Sequence, residues 1–370
     1  MSSTILLRTW PCTPFKIARH VSPKSFGSQC LARAFHVFRD VRPLREYRRG
    51  LLLAGKTVGL VPTMGALHKG HLSLVRQAAA ENSHIFVSIY VNPTQFGVNE
   101  DLDSYPKTWE SDLAMLKELD ADLEKEPGHA GRIEAIFAPT TKAMYPTLPP
   151  DSTLPGTGSF VTITPLANLL EGKSRPVFFR GVATVCTKLF NIIQPERVYF
   201  GQKDVQQTVV IRRMVQDLHM NLEVRIGPTE REEEGLAMSS RNVYLGERRR
   251  KAGLVLSQAL RTAEAAYNMG TVDRDEILAV SWDVMNMMQI AQDAYKDTER
   301  ARFEVDYISL ADPDTLEEVQ QVDLAKGAVL SGAIKMLPLE VTKDGEKLGL
   351  GEDKVPVRLI DNLILPPRDT

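Results

Sequence analysis

The chain has 370 residues, 43% of them hydrophobic and 25% charged, with a formal net charge of -2. That balance supplies enough apolar material for a sizeable core and gives no global attraction to nucleic acid, so any anion site must be built locally. The three cysteines, Cys12, Cys30 and Cys186, form neither a disulfide framework nor a CxxC zinc pair, and no apolar run is long enough to cross a bilayer.

The first segment in chain order is defined by composition. Residues 1–39 carry Arg8, Lys16, Arg19, Lys24, Arg33 and Arg39, with no acid before Asp40. This basic, acid-poor, serine-containing stretch reads as a mitochondrial address. The alternative is a disordered basic arm on a cytoplasmic protein. Either way it is expected to stand outside the fold.

Strand and helix signals alternate from Thr57 onward. Residues 57–62 (TVGLVP) form a short apolar run, a buried strand, and residues 71–80 place Leu72, Leu74, Val75 and Ala78 at helical spacing. Residues 84–91 are β-rich, 108–119 helical, and 134–138 short and apolar again. Residues 160–164 alternate weakly as a strand, and 181–193 form an apolar helix ending before Pro195. A strand at 197–200, a helix at 205–218 and a strand at 222–226 complete the series. This order predicts an α/β fold: a Rossmann-like parallel sheet domain over 40–226, with its ligand crevice at the carboxyl ends of the strands.

Composition changes after Ile226, with a charge run at 230–234 and a small-polar turn at 238–242. A helix over 248–269 follows, then a strand at 303–310 that 328–334 and 357–359 can pair with. A smaller α+β C-terminal domain over 227–370 is expected. Residues 124–132 and 343–354 read as surface insertions.

The chemistry lies in the turns. PTMGALHKGH (62–71) sits directly after a strand and opens a helix. Gly65 and Gly70 permit close backbone approach, and free N–H groups at the helix start attract phosphate. His68 and His71, three apart, can face one side and donate to oxygens that gain charge as an α-phosphate is attacked. A zinc pair is the weaker reading, because the HExxH glutamate and spacing are absent. NPTQFG (92–97) follows the next strand and offers Asn92 and Gln95 as neutral amides for a carboxylate or hydroxyls; alone it is an Asn-Pro turn with a polar rim. GQKDVQQ (201–207) follows a third strand. There Lys203 can hold phosphate, Asp204 ribose hydroxyls and Gln207 the acid, against a plain capped helix start. MSSRN (238–242) offers hydroxyls and a guanidinium for a polyphosphate, against an ordinary linker loop. Turns that follow successive strands converge on one crevice, so together these segments describe an ATP site beside a polar acid pocket.

These segments resemble the pantothenate synthetases, of the nucleotidyltransferase-like superfamily with HxGH signatures. The likeness runs from about residue 40 to 362 and includes EGKSRP (171–176), FRGVATVCTKLFN (179–191), DYISLADPDTLEEV (306–319) and RLIDN (358–362). It implies ATP-dependent condensation of pantoate with β-alanine through a pantoyl-adenylate, with ATP and Mg²⁺ required and small molecules rather than nucleic acid or membrane as partners. It also implies a homodimer. The alternative activity is nucleotidyl transfer to a phosphorylated acceptor. Carried over position by position, the resemblance makes His68, His71 and Lys203 the catalytic groups. Met64, Gly65, Gly201, Asp204, Met238, Ser239, Ser240 and Arg241 complete the ATP site, with Asn92, Gln95 and Gln207 at pantoate and β-alanine. His71 takes the role of acid or proton donor. Phe178 stands where many relatives have histidine, Glu230 where they often have valine, and an acidic residue near Asp112 is a loose candidate for Mg²⁺.

Overall fold

The computed structural model describes residues 35–368 apart from 99, 101, 127, 129–130 and 148–156. Most of the expected targeting segment, with Cys12 and Cys30, therefore lies outside the described residues. One part of it does not: β1 (His36–Phe38) pairs parallel with a later strand, so the fold begins inside the stretch that composition had set apart. A helix that the sequence reading did not assign, α1 (Val41–Leu53), follows.

The order then runs β2 (Val58–Thr63), α2 (Lys69–Glu81), β3 (His84–Ile89), α3 (Trp109–Leu123), β4 (Arg132–Phe137), α4 (Thr141–Met144), α5 (Glu171–Ser174), α6 (Phe178–Ile193), β5 (Arg197–Gly201), α7 (Val205–Asp217) and β6 (Glu223–Gly227). These strands form a six-stranded parallel sheet in the order β1-β4-β3-β2-β5-β6. The chain builds outward from β2 to one side and returns to lay β5 on the other, so the switch point lies between β2 and β5. Both faces are covered, which is why the central strands read as unbroken apolar runs. Val61, Ile85, Val87 and Ile133 pack under α2 and α3, whereas Leu60, Phe86, Phe137 and Val198 pack under α1, α6 and α7.

The expected strand over residues 160–164 is absent. This segment crosses α6 instead of a sheet edge, and its Val161 N–H donates to the Thr184 hydroxyl at 2.9 Å. A side chain thus supplies the partner that a neighbouring strand would have supplied.

After β6 come α8 (Glu247–Gly253) and α9 (Val255–Asn268), two helices where one was expected, then α10 (Arg274–Ala294). Strands β7 (Phe303–Ala311), β8 (Ala328–Met336) and β9 (Val357–Leu365) form an antiparallel sheet. One face carries Leu310, Leu330, Ile334 and Leu359 against α9 and α10. Helix α10 went unassigned in the sequence although its start is signalled: Asp273 accepts from the N–H groups of Asp275 and Glu276. Both sheets belong to one compact unit, and no helix among the described residues is long and apolar enough to cross a membrane.

Candidate active site

A cavity of about 960 Å³ opens at the carboxyl ends of β2 and β5, between the parallel sheet and the inner face of the antiparallel one. Every residue that the sequence assigns to ATP or to the acid substrates lines it except Gly65, and the magnesium candidate Asp112 does not.

The turn after β2 is held from behind. Gly65 has φ +86 and Ala66 φ +50, a left-handed stretch that turns successive N–H groups in one direction. The Asp112 carboxylate, from α3, accepts from Ala66 N–H at 3.1 Å and Leu67 N–H at 2.9 Å, and from the Thr108 hydroxyl at 3.0 Å. Thr63 adds a further tie, accepting from Gly65 N–H at 3.2 Å and donating to Ser88 O at 2.7 Å. Gly65 therefore serves the turn rather than the ligand surface: a Cβ there would sit 3.1 Å from Asp112 Oδ2 and 3.3 Å from Ile89.

His68 is the N-cap of α2, its Nδ1 accepting from Gly70 N–H at 3.2 Å, and the Nδ1 of His71 faces the N–H of His68 at 3.4 Å. With Nδ1 an acceptor in both rings, the neutral tautomer carries its proton on Nε2. The rings lie 4.1 Å apart between centroids. Burial, with the Lys203 ammonium second, pushes His68 down to about 4; burial, then His68 and Lys203, pushes His71 down to about 3. At neutral pH both are uncharged hydrogen-bond donors, not acids carrying a spare proton. The only cation among these three groups is Lys203, whose side chain is 18% exposed with Nζ 3.7 Å from Asp204 Oδ1. Asp204 occupies the N-cap position of α7 but makes no capping bond.

Beyond β3, Asn92 spends its whole amide inside the protein. Nδ2 donates to Gln95 Oε1 at 3.1 Å and to Gly181 O at 3.2 Å, while Oδ1 accepts from Tyr145 at 2.7 Å and Thr94 at 3.1 Å. Asn92 thus fixes Gln95, whose Nε2 donates, among the described residues, to the weak acceptor Met64 Sδ at 3.2 Å. The close approach of α6 needs Gly181: a Cβ there would lie 2.4 Å from Thr94 O. Gln207 reaches the same cavity from the first turn of α7. Its neighbour Gln206 is turned inward and holds Leu166 O, Leu169 O and Glu171 N–H.

The fourth segment lines the cavity from the other side. Ser239 caps a short 3-10 turn by accepting from Arg241 N–H at 3.2 Å, and Ser240 lies 3.2 Å from the Tyr105 hydroxyl. Asn242 secures the loop through Glu232 and Ala237 O. Among the departures, Phe178 carries the Arg175 guanidinium 3.8 Å above its ring, with Arg175 forked onto Glu100. The backbone O of Glu230 accepts from Met238 N–H at 2.9 Å.

Sequence reasoning missed the residues that hold these groups: Asp112 as an anchor, Tyr145, Gly181 and Gln206. It also took residues 343–354 for a surface insertion. Leu350 and Gly351 line the cavity, and Asp353 is fully buried against Arg249. The signal for that pair was an acid and a base that only folding brings together. Of the insertion at 124–132, residues 127, 129 and 130 lie outside the described residues; Arg132 at its end forks onto the buried Asp120.

A family profile described as pantoate-beta-alanine ligase matches residues 36–364. The pantothenate synthetase of Roseiflexus castenholzii is 44% identical over 302 residues, covering 81% of this chain and 97% of that protein. That of Acidobacterium capsulatum is 45% identical over 305 residues, covering 80% and 91%. The crystal structure of pantothenate synthetase from Thermus thermophilus superposes with TM-score 0.70 at 35% identity, covering 90% of this chain and all of that one. A pantoate-beta-alanine ligase from Francisella tularensis, solved with beta-gamma ATP and beta-alanine, superposes with TM-score 0.63 at 28% identity, covering 90% and 98%.

Proposed function

The chain belongs to the pantoate-beta-alanine ligase family and condenses pantoate with β-alanine, and from that premise we propose that the cavity between the two sheets performs the reaction with ATP through a pantoyl-adenylate. A carboxylate oxygen of pantoate attacks the α-phosphorus of ATP, the bond from that phosphorus to the bridging oxygen breaks, and pyrophosphate leaves. The β-alanine amine then attacks the acyl carbon, the carbon–oxygen bond of the mixed anhydride breaks, and AMP departs as the amine loses a proton to solvent. No protein nucleophile takes part, so the chain contributes positioning and charge stabilisation.

The supporting observation is that His68, His71, Lys203 and Arg241 line one cavity with Gln95 and Gln207. Lys203 and Arg241 offset the triphosphate charge, Ser239 and Ser240 add hydroxyl donors, and the Nε2–H groups of His68 and His71 donate to phosphoryl oxygens without competing as acids. Met64, Gly201 and Asp204 line the nucleotide side. Gln95, fixed by Asn92, and Gln207 hold the acid in line with the α-phosphorus. Residues 40–226 would thus bind ATP and pantoate, and the 227–370 part would supply the phosphate loop. Magnesium enters with ATP as part of the substrate and offsets its charge. Asp112 is not assigned to it, because its carboxylate is engaged by Ala66, Leu67 and Thr108.

The test is release of AMP from ATP, followed with labelled β-alanine. Turnover must require both pantoate and β-alanine, and the label must appear in pantothenate. Nucleotide consumption indifferent to either substrate would refute the proposal. A homodimer is proposed on the resemblance alone, and a sedimentation mass of one chain would overturn it. A mitochondrial address on residues 1–39 is proposed on composition alone; a reporter fused to them that stays in the cytoplasm would overturn that.

A further inference from the structure

The last strand contains RLIDN (358–362), a run given no part in the reaction above. Its final two side chains leave β9 on opposite faces and enter two different networks. Asn362, 1% exposed, reaches the turn after β5. Its Nδ2 donates to Gln202 O at 2.9 Å and Lys203 O at 2.8 Å, and its Oδ1 accepts from Gln202 Nε2 at 3.3 Å. A primary amide suits this place, since its two N–H vectors meet two successive carbonyls while its oxygen takes the returning donor. An aspartate there would set oxygen against oxygen.

Asp361, 4% exposed, turns the other way. Its carboxylate takes both arms of the Arg231 guanidinium, at 2.6 and 2.9 Å, and also accepts from Asn362 N–H at 2.8 Å. Arg231 donates to Gly235 O at 3.1 Å and bridges to Ala237, so it braces the segment that runs into Met238–Arg241. The same segment is closed by Met238 N–H donating to Glu230 O at 2.9 Å. Two adjacent residues of one strand therefore pin both segments that carry cations into the cavity: the Lys203 turn and the Arg241 loop.

We propose that Asp361 and Asn362 are positioning residues for the triphosphate grip. Asn362 fixes the backbone from which Lys203 extends, and Asp361, through Arg231, fixes the base of the loop that carries Ser239, Ser240 and Arg241. The antiparallel sheet thereby sets the distance between the two cationic arms. This rests on the reading of Lys203 and Arg241 as phosphate ligands.

A double-mutant cycle on the full-length enzyme tests it, with kcat and the KM of each substrate measured on folded protein. Asn362→Ala should lower kcat/KM for ATP by about 10- to 100-fold, the scale of a misplaced charged group, and leave the KM for pantoate within about twofold. On a Lys203→Ala background it should cost less than about twofold more, because the group it acts through is gone. Asp361→Asn should couple in the same way to Arg241→Ala. Equal losses on both backgrounds would show general structural damage and overturn the proposal, as would wild-type kinetics in Asn362→Ala. If the alanine variant does not fold, the near-isosteric Asn362→Asp is read in the same cycle against the same criteria. Wild-type activity in Lys203→Ala alone would instead refute the reading of the site, and would be recognised by that single variant.

Discussion

Replacing Asp112 should disable the ATP-facing turn without touching the ligand surface. The side chain is 1% exposed, and its carboxylate serves two backbone N–H groups and the Thr108 hydroxyl. In Asp112→Asn the remaining oxygen can keep Leu67 N–H and Thr108 at 2.9 and 3.0 Å, but the new NH₂ then faces Ala66 N–H, donor against donor. Leaving one buried amide unsatisfied costs about 1–3 kcal/mol, and losing the charge on the retained bonds about 1 kcal/mol more, so stability should fall by about 2–4 kcal/mol. Asp112→Ala strands both amides and should cost about 3–5 kcal/mol. Urea melts at constant m give the stability, and steady-state kinetics on folded protein give the activity. Because Gly65–Leu67 leads directly into His68, the expected activity loss is about 100-fold in kcat/KM for ATP, that of a turn displaced by about 1 Å. A variant Asp112→Asn within about 0.5 kcal/mol of wild type by these melts would refute the anchoring role. Normal stability with lost activity that extra magnesium restores would mean that Asp112 serves the metal after all.

Three further outcomes follow from other contacts. Gly181→Ala puts a methyl 2.4 Å from Thr94 O and 2.5 Å from the Gln95 backbone, so the acid pocket must move. The expected result is a rise in the KM for pantoate exceeding that for ATP, with about 1–3 kcal/mol lost to overpacking; unchanged KM values would contradict it. Asp353→Ala leaves Arg249 uncompensated in a site where both side chains are fully buried, and should cost about 3–5 kcal/mol in a denaturant melt. A loss under about 1 kcal/mol would return residues 343–354 to the status of a surface loop. His68 and His71 should remain neutral through pH 6 in the free enzyme, since burial holds them near 4 and 3. The unfolded chain binds protons near 6.5 while the folded one does not, so stability should fall as pH drops from about 6.5 toward 4. Resonances of these rings with NMR midpoints near 6.5 would disprove their burial.

The strand–helix alternation from Thr57 to Ile226 was legible because a parallel sheet covered on both faces needs unbroken apolar strands, and its helices need one apolar side. That periodicity is local and survives in a linear sequence. That the turns after β2, β3 and β5 share one edge was legible for a related reason: in such a sheet, position along the strand already determines the edge at which a turn lies. The strand expected at 160–164 failed because five weakly alternating residues carry no record of whether another strand lies alongside, and here Thr184 does instead. β1 was hidden by composition, since three residues gain strand geometry only by pairing with β4. What the sequence determined by itself was the set of groups that can meet a phosphate or an acid. What only the tertiary structure decided was their state and support: that both histidines are uncharged, that Asn92 holds Gln95, that Asp112 binds amides, and that Asn362 reaches Lys203 across 159 positions of chain. Burial and hydrogen-bond partnership are properties of neighbours in space, and the sequence lists only neighbours along the chain.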